Sequence, residues 1–215
     1  MKDLTAMILA GGKGSRLSPW PAPKCLMPIL GIPILYRIID HVAPHVDLMV
    51  VCVGYRAGDV RAATPKTAPN LLVSDAGEGA TMCERLLRAR EEYEIAGRIL
   101  VLYGDELADV DIPRLLAQHG SDKTAMTMTG CKYRLPFGVV ESDGFIQDEC
   151  DVLVNIGFAV IEPIVWGVIA GCKGLSEMFN RVAWTDHETH IYEHRGRRAT
   201  INSPADIAAA EEVWK

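Results

Sequence analysis

The feature that most constrains this chain is the stretch MILAGGKGSRLSPWPAPK, from Met7 to Lys24. It opens with a short apolar run, Met7-Ile8-Leu9-Ala10, which predicts a buried strand. The run breaks into a loop with Gly11, Gly12 and Gly14, which also carries Lys13, Ser15 and Arg16. Glycines let backbone N–H groups converge closely on an anion, and Arg16 adds a planar fork of donors suited to phosphate oxygens. Lys24 follows a tether stiffened by Pro19, Pro21 and Pro23, so it returns to the same anion as a point charge. The pattern is not G-x-x-x-x-G-K-[ST], because no Lys-Ser/Thr pair follows the last glycine. Its spacing also differs from G-x-G-x-x-G.

GGKGSRL followed by PAPKCLMPILGIPIL resembles the signature of the sugar-1-phosphate nucleotidyltransferases, GGxGTRLxP and then PKxLxPIxGxPIL, with Ser15 in place of threonine. The resemblance implies a Rossmann-like α/β fold in which Leu9, Ala10, Gly11, Gly12, Gly14 and Ser15 cradle a nucleoside triphosphate. Arg16 and Lys24 then act on its phosphates.

Chain length agrees. At 215 residues, 49 % hydrophobic, the chain fits one sizeable globular domain. A formal net charge of −6 argues against a nucleic-acid platform but permits a local positive pocket. Six cysteines without C-x-x-C spacing read as reduced core thiols. No signal peptide or membrane-length apolar run is evident, so a cytoplasmic protein with no membrane partner is expected.

Apolar and periodic segments alternate through the first half. Helices are predicted at Pro33–Val42 (Pro33 at its first position), Ala57–Ala63 and Thr81–Tyr93. Strands are predicted at Leu48–Val53, Leu71–Ser74 and Arg98–Tyr103. Strand–helix alternation predicts an α/β fold with a doubly wound, mostly parallel mixed sheet, whose ligands lie at strand carboxyl ends. In the second half, strands are expected at Ala125–Thr129, Phe137–Ser142, Leu153–Ile161 and His190–His194, with an Asp143-Gly144 turn. Helices are expected at Ile164–Ala170, Leu175–Val182 and Pro204–Trp214, the last capped by Ser203. Within one domain, residues 1–110 form the nucleotide half and 111–215 the acceptor half.

Asp105 follows an apolar strand on a glycine turn, where a carboxylate can hold a hard cation such as Mg²⁺ at the sheet edge. The resemblance implies the same role for it. It also implies a second aspartate near the C-terminus, where this chain has Thr200; Asn202 or Asp186 is left as an oxygen donor. The loop Asp75–Ala80 and Thr81, with Asp75, Gly79 and Thr81 foremost, is the expected nucleobase site. DAGEGATMCERLLRAR resembles the glucose-1-phosphate cytidylyltransferase loop, which implies CTP. FGVVE and VNIGF resemble the acceptor-sugar segments, which implies roles for Gly138, Glu141 and Asn155. The family's Glu-Lys-Pro lysine is absent, leaving Lys132 or Arg134 as substitutes.

The acidic run 147–151 also suits a cationic phosphoalcohol such as phosphocholine, with Trp166 as an aromatic wall. His187, His190 and His194 lie on a strand-like segment that would not gather all three on one face, and they read as surface histidines. The expected reaction is in-line attack of a sugar 1-phosphate on the NTP α-phosphate, assisted by Mg²⁺. The rivals are a phosphocholine cytidylyltransferase and a nucleotide-binding protein that has lost catalysis. A homodimer is also expected, through an exposed apolar face of Leu175–Val182.

Overall fold

Runs with no polar face must be covered on both sides, and this dictates the sheet. The computed structural model describes residues 4–17, 20–65, 70–120, 123–135, 137–140, 142, 144, 146–147 and 150–215. The first four large strands are β1 (Leu4–Leu9), β4 (Leu48–Val53), β5 (Leu71–Asp75) and β6 (Arg98–Tyr103). Between β1 and β4, β2 (Pro28–Ile29) and β3 (Ile32–Pro33) form a small hairpin. The short β7 (Glu106–Ala108) follows β6, and then come β8 (Thr124–Arg134), β9 (Val139–Val140), β10 (Ile146–Gln147), β11 (Asp151–Ile161), β12 (Glu188–His194) and β13 (Arg198–Thr200). The helices are α1 (Ile34–Val42), α2 (Ala57–Ala63), α3 (Met82–Glu92), α4 (Ile112–His119), α5 (Trp166–Ile169), α6 (Leu175–Ala183) and α7 (Pro204–Trp214).

Seven strands form the central sheet in the order β12-β8-β11-β6-β1-β4-β5. β1 pairs in parallel with both β4 and β6, whereas β11 runs antiparallel between β6 and β8. The mixed, mostly parallel doubly wound sheet is therefore as the sequence predicts. One face carries a core built on Ile8, Val51, Leu100, Leu102 and Phe158. The other carries Met7, Val50, Val101, Leu86 and Phe179. Each parallel strand contributes to both faces, which is why these strands read as unbroken apolar runs.

Helix starts follow local chemistry. Thr81 caps α3 through a reciprocal box: the Glu84 N–H donates to Thr81 Oγ1 at 3.2 Å and the Thr81 N–H to Glu84 Oε2 at 2.6 Å. Asp206 reaches back to the Ser203 N–H at 2.7 Å and the Asn202 N–H at 2.8 Å, fixing the entry into α7.

Some expectations are corrected. Pro33 is extended (ψ 140°) and pairs with Pro28 across the hairpin, so α1 begins after it. Among the described residues of the expected strand Phe137–Ser142, Val139–Val140 forms a strand, paired antiparallel with Ile146–Gln147; Glu141 and Asp143 lie outside the described residues. Leu175, Met178, Phe179 and Val182 are buried in the second core, so this helix offers no apolar face for a dimer. His194 is buried, not superficial, because β12 joins the sheet beside β8 and turns it inward. No described helix is long and apolar enough to cross a membrane.

A polar knot closes the edge of the sheet opposite the carboxyl ends. His119, fully buried at the end of α4, contacts Thr127 Oγ1 at 2.8 Å and Glu162 Oε1 at 3.0 Å. Arg98 donates to the same Glu162 oxygen. Burial holds the His119 ring below its ordinary pKa, so folding favours the neutral ring.

Below pH 6.5 the unfolded chain takes up this proton first, so the stabilisation is complete above 6.5 and is lost as pH falls through the lowered folded value. Urea denaturation between pH 8 and 5 should show wild-type stability falling on acidification, with a shallower fall for His119→Gln. Gly157 supplies a second expectation. Its φ is +74°, and an added Cβ would stand 2.3 Å from the Tyr103 ring. Gly157→Ala should cost roughly 2 kcal/mol or more in the same assay, through backbone strain and overpacking together.

Candidate active site

The carboxyl ends of β1, β4 and β6 face one crevice, at the point where chain order reverses about β1. Backbone hydrogen bonds seat the glycine loop there. The Ala10 N–H donates to Cys52 O at 2.9 Å, the Gly104 N–H to Leu9 O at 3.0 Å, and the Tyr55 N–H to Gly11 O at 3.2 Å. Gly104 must be glycine for this approach, since a Cβ would stand 2.8 Å from Leu9 O. Gly14 has φ +64° and lies against the Lys24 side chain, so the loop and its lysine pack as one unit. The result is a cleft of about 260 Å³ lined by Leu9, Ala10, Gly11, Gly12, Lys24, Cys25, Met82, Arg85, Tyr103, Gly104 and Asp105.

At one end of the cleft four side chains from four segments meet. Lys24 Nζ donates to Asp105 Oδ2 at 2.6 Å and to Asn202 Oδ1 at 2.9 Å. Arg16 Nη2 donates to the same Asn202 oxygen at 3.0 Å. Lys24 is largely buried, while the Asp105 carboxylate is 35 % exposed toward the cleft. The two residues predicted to act on phosphate and the predicted cation ligand are therefore brought together. Asp105 and Asn202 present two oxygens to one buried ammonium, and oxygen donors of this kind suit a hard divalent cation. Among the described residues, no group of three or more His, Cys, Asp or Glu side chains forms a metal cluster.

Thr200, which stands where the resemblance puts a second aspartate, turns to Glu106 rather than to Asp105. β13 pairs antiparallel with β7, which sets Thr200 opposite Glu106, and the Thr200 hydroxyl donates to that carboxylate. Burial pushes Glu106 up to about 7, against the pull of Thr200 and of Arg198, whose Nε lies 3.3 Å away. At the next residue the Ile201 N–H donates to Asp105 O at 3.0 Å, which brings Asn202 beside Lys24. Asp186 precedes β12 and so sits at the opposite edge of the sheet, away from the crevice.

The remaining predicted residues divide. Asp75 Oδ1 accepts from the Gly77 N–H at 2.9 Å and so shapes its own loop. Thr81 is committed to the α3 cap, Gly79 is exposed beside it, and Ser15 opens a 3₁₀ turn; none of the four lines the cleft. Asn155 bridges its surroundings, accepting from the Gly157 N–H at 2.8 Å and donating to Tyr103 Oη at 3.3 Å. It acts on the cleft wall through Tyr103. Gly138 lies beside the exposed Phe137, and Glu141 lies outside the described residues. Lys132 and Arg134 leave β8 at the crevice edge, paired with Glu193 at 3.8 Å and Asp151 at 3.1 Å. Trp166 is buried beyond the opposite end of β11 with Arg90 over its ring, so it walls no acceptor site. The phosphocholine reading loses that support.

Sequence reasoning missed Arg85. It stands on the inward face of α3 beside Leu86 and lines the cleft. The available signal was a basic residue within the apolar stripe that follows the capping box. Among the residues that line the cleft, Lys24 and Arg85 face one carboxylate, Asp105, and Arg16 joins Lys24 at Asn202, a balance suited to a polyanion. Cys25 also lines it, but burial pushes its thiol up to about 12, so no thiolate nucleophile is present there.

Residues 6–167 match the family model described as the MobA-like NTP transferase domain. A glucose-1-phosphate cytidylyltransferase from Salmonella typhi is 24 % identical, covering 99 % of this chain and 96 % of its own. The mannose-1-phosphate guanylyltransferase of Mycobacterium tuberculosis is 26 % identical over 79 % of this chain, which spans only 48 % of that protein. Among solved structures, HddC from Yersinia pseudotuberculosis, complexed with GMP-PN, superposes with a TM-score of 0.74. It shares 19 % identity and covers 98 % of this chain and 99 % of its own. The glycine loop, the Lys24–Asp105 pair and the sheet that joins them thus occur in a chain that belongs to the MobA-like NTP transferase family and is a nucleotidyltransferase.

Proposed function

We propose that this protein joins an NTP, with CTP as the donor, to a sugar 1-phosphate, giving an NDP-sugar and pyrophosphate. The observation that carries this reading is the meeting of Lys24, Arg16 and Asn202 around Asp105 at the mouth of the glycine cleft. The cytidylyl assignment is supported by the near full-length match to a relative named for that activity.

An acceptor phosphate is already ionised at neutral pH, so attack on the α-phosphorus needs no strong base. The barrier lies in bringing two anions together and in the charge that gathers on the departing pyrophosphate. Positioning and preorganised positive charge address both. Backbone N–H groups of Gly11 to Gly14 cradle the triphosphate. Arg16, at the exposed side of the constellation, takes the pyrophosphate as it leaves. Lys24 is held rigidly by its two hydrogen bonds and is aimed at the α-phosphate or the incoming acceptor oxygen.

Asp105 and Asn202 would hold a divalent cation, Mg²⁺ in this reading. When bound, that ion supplies Lewis-acid neutralisation of phosphate charge. Cys25 contributes no covalent step, since its thiol stays protonated. Within the single domain, residues 1–110 bind the nucleotide and 111–215 the sugar phosphate, with Asn155 acting through Tyr103 on the wall between them.

Pyrophosphate release with Mg²⁺, measured for each NTP and dTTP against a panel of sugar 1-phosphates and phosphocholine, tests the reaction. One strong pair of CTP and a sugar 1-phosphate is expected. In Asp105→Asn its kcat should fall about 10²- to 10³-fold, the usual cost of deleting one transition-state electrostatic contact. Background release from every pair, with nucleotide still bound, would sink the transferase assignment. Asn202→Ala frees Arg16 and Lys24 from their shared acceptor and should lower kcat/KM about tenfold at unchanged thermal stability.

A further inference from the structure

Arg85 is nine-tenths buried, with 8 % of its surface exposed, yet it uses little of its hydrogen-bonding capacity on the protein. Among the described residues its guanidinium makes one hydrogen bond, from Nη2 to Glu78 O at 3.3 Å, and Nε is buried with no partner. An arginine sequestered with so few acceptors is costly, and native proteins seldom leave such a group without a use. Space for it has been cleared deliberately. A Cβ on Gly11 would fall 2.3 Å from Nε, and a Cβ on Gly54 2.6 Å from Nη2, so side chains at either position would displace the guanidinium.

The position is informative. Gly54 follows β4 and Glu78 belongs to the loop after β5, so Arg85 flanks the β4 side of β1. Lys24 and Asp105 occupy the β6 side of the same cleft. A triphosphate gripped by Lys24, Arg16 and the glycine loop therefore directs its base toward Arg85 and the Asp75–Ala80 loop.

We infer that Arg85 is the base-selecting residue of this site, its guanidinium fork donating to two adjacent acceptors on the base edge, O2 and N3 of cytosine. The inference rests on the reading of the cleft as a CTP site and adds to it the residue that discriminates. Two parallel N–H groups match two adjacent acceptors, the geometry by which arginine reads guanine O6 and N7. Uracil and thymine place an N–H donor between their carbonyls, so one arm of the fork would face another donor. Adenine offers one ring acceptor on that edge, N1, with the amino group beside it. Charge alone attracts every NTP equally, whereas the fork separates them.

Calorimetric binding of CTP, UTP, GTP and ATP to the full chain tests this, with thermal melts confirming the fold of each variant. Wild type should bind CTP about 10- to 100-fold more tightly than UTP, the range expected for one bidentate base contact. Arg85→Lys keeps the charge and the stem but loses the fork, and should bring that ratio to within about threefold of one while UTP affinity stays in place. Arg85→Gln offers one donor and one acceptor, which fits uracil, and should tilt the ratio toward UTP. A measurement without any variant covers the case in which both fail to fold. The triphosphate of 3-deazacytidine lacks the N3 acceptor and should bind wild type at least about tenfold more weakly than CTP.

Equal weakening of all four nucleotides in Arg85→Lys, or full affinity for the deaza analogue, would overturn the assignment. A wild-type preference for GTP that collapses in Arg85→Lys would remove the cytosine reading and leave Arg85 as the selector, through O6 and N7. A preference for UTP or ATP would overturn both.

Discussion

The ion pair between Lys24 and Asp105 is the contact on which the site depends, because it joins two functional side chains 81 positions apart in the chain. Lys24 comes from the chain beyond the glycine loop, and Asp105 from the turn after β6. At 2.6 Å, with the lysine largely buried, the pair fixes the ammonium in a place that a mobile lysine would visit only briefly. Its contribution to stability is modest, since desolvation offsets much of the attraction in such pairs. Its value is geometric: an ammonium, a carboxylate and an amide oxygen are held at the mouth of a cleft before any substrate arrives. Asn202 Oδ1 accepts from both Lys24 and Arg16, so the C-terminal segment shares in that preorganisation.

Support for the pair comes from backbone chemistry a layer beneath it. The Ile201 N–H bonds to the Asp105 carbonyl, Asp206 holds the Asn202 and Ser203 N–H groups, and β13 pairs with β7. Thr200 and Arg198 meet the buried Glu106 carboxylate behind the site, so no unpaired charge stands under Asp105. The two halves of the chain are thereby coupled at the point where chemistry is proposed. The glycines act at the same level: Gly104, Gly11 and Gly54 clear room for backbone or guanidinium that any larger residue would fill.

Much of this was legible in the residues themselves. Unbroken apolar runs such as LMVVCV and RILVLY can only be strands covered on both faces, and the alternation with helices then sets a mostly parallel sheet. The capping box at Thr81 and the N-cap at Ser203 are local signals, written in residues three positions apart, and both helices begin there. The glycine loop with Arg16, and Asp105, were readable because each follows a strand end, and strand ends in such sheets share one edge; Lys24 was readable from its proline-stiffened tether. Pro33 was misread because a proline suits both the first turn of a helix and the extended residue before it. Cross-strand pairing with Pro28 decided between them.

Sequence alone determined the elements, the edge of the sheet where ligands lie and the cationic character of the first loop, because these depend on short-range periodicity and on residue type. Tertiary structure decided which oxygen meets Lys24. Motif spacing set Thr200 at the place of the second aspartate and left Asn202 or Asp186 as the donor; the register of β13 against β7 turns Thr200 toward Glu106 and brings Asn202 to the cleft. It also decided that Trp166 is core, that the apolar face of α6 is covered and that Arg85 is a cleft residue. Each of these depends on which face of an element meets a partner distant in the chain, and a one-residue change of register reverses that face without altering any local signal.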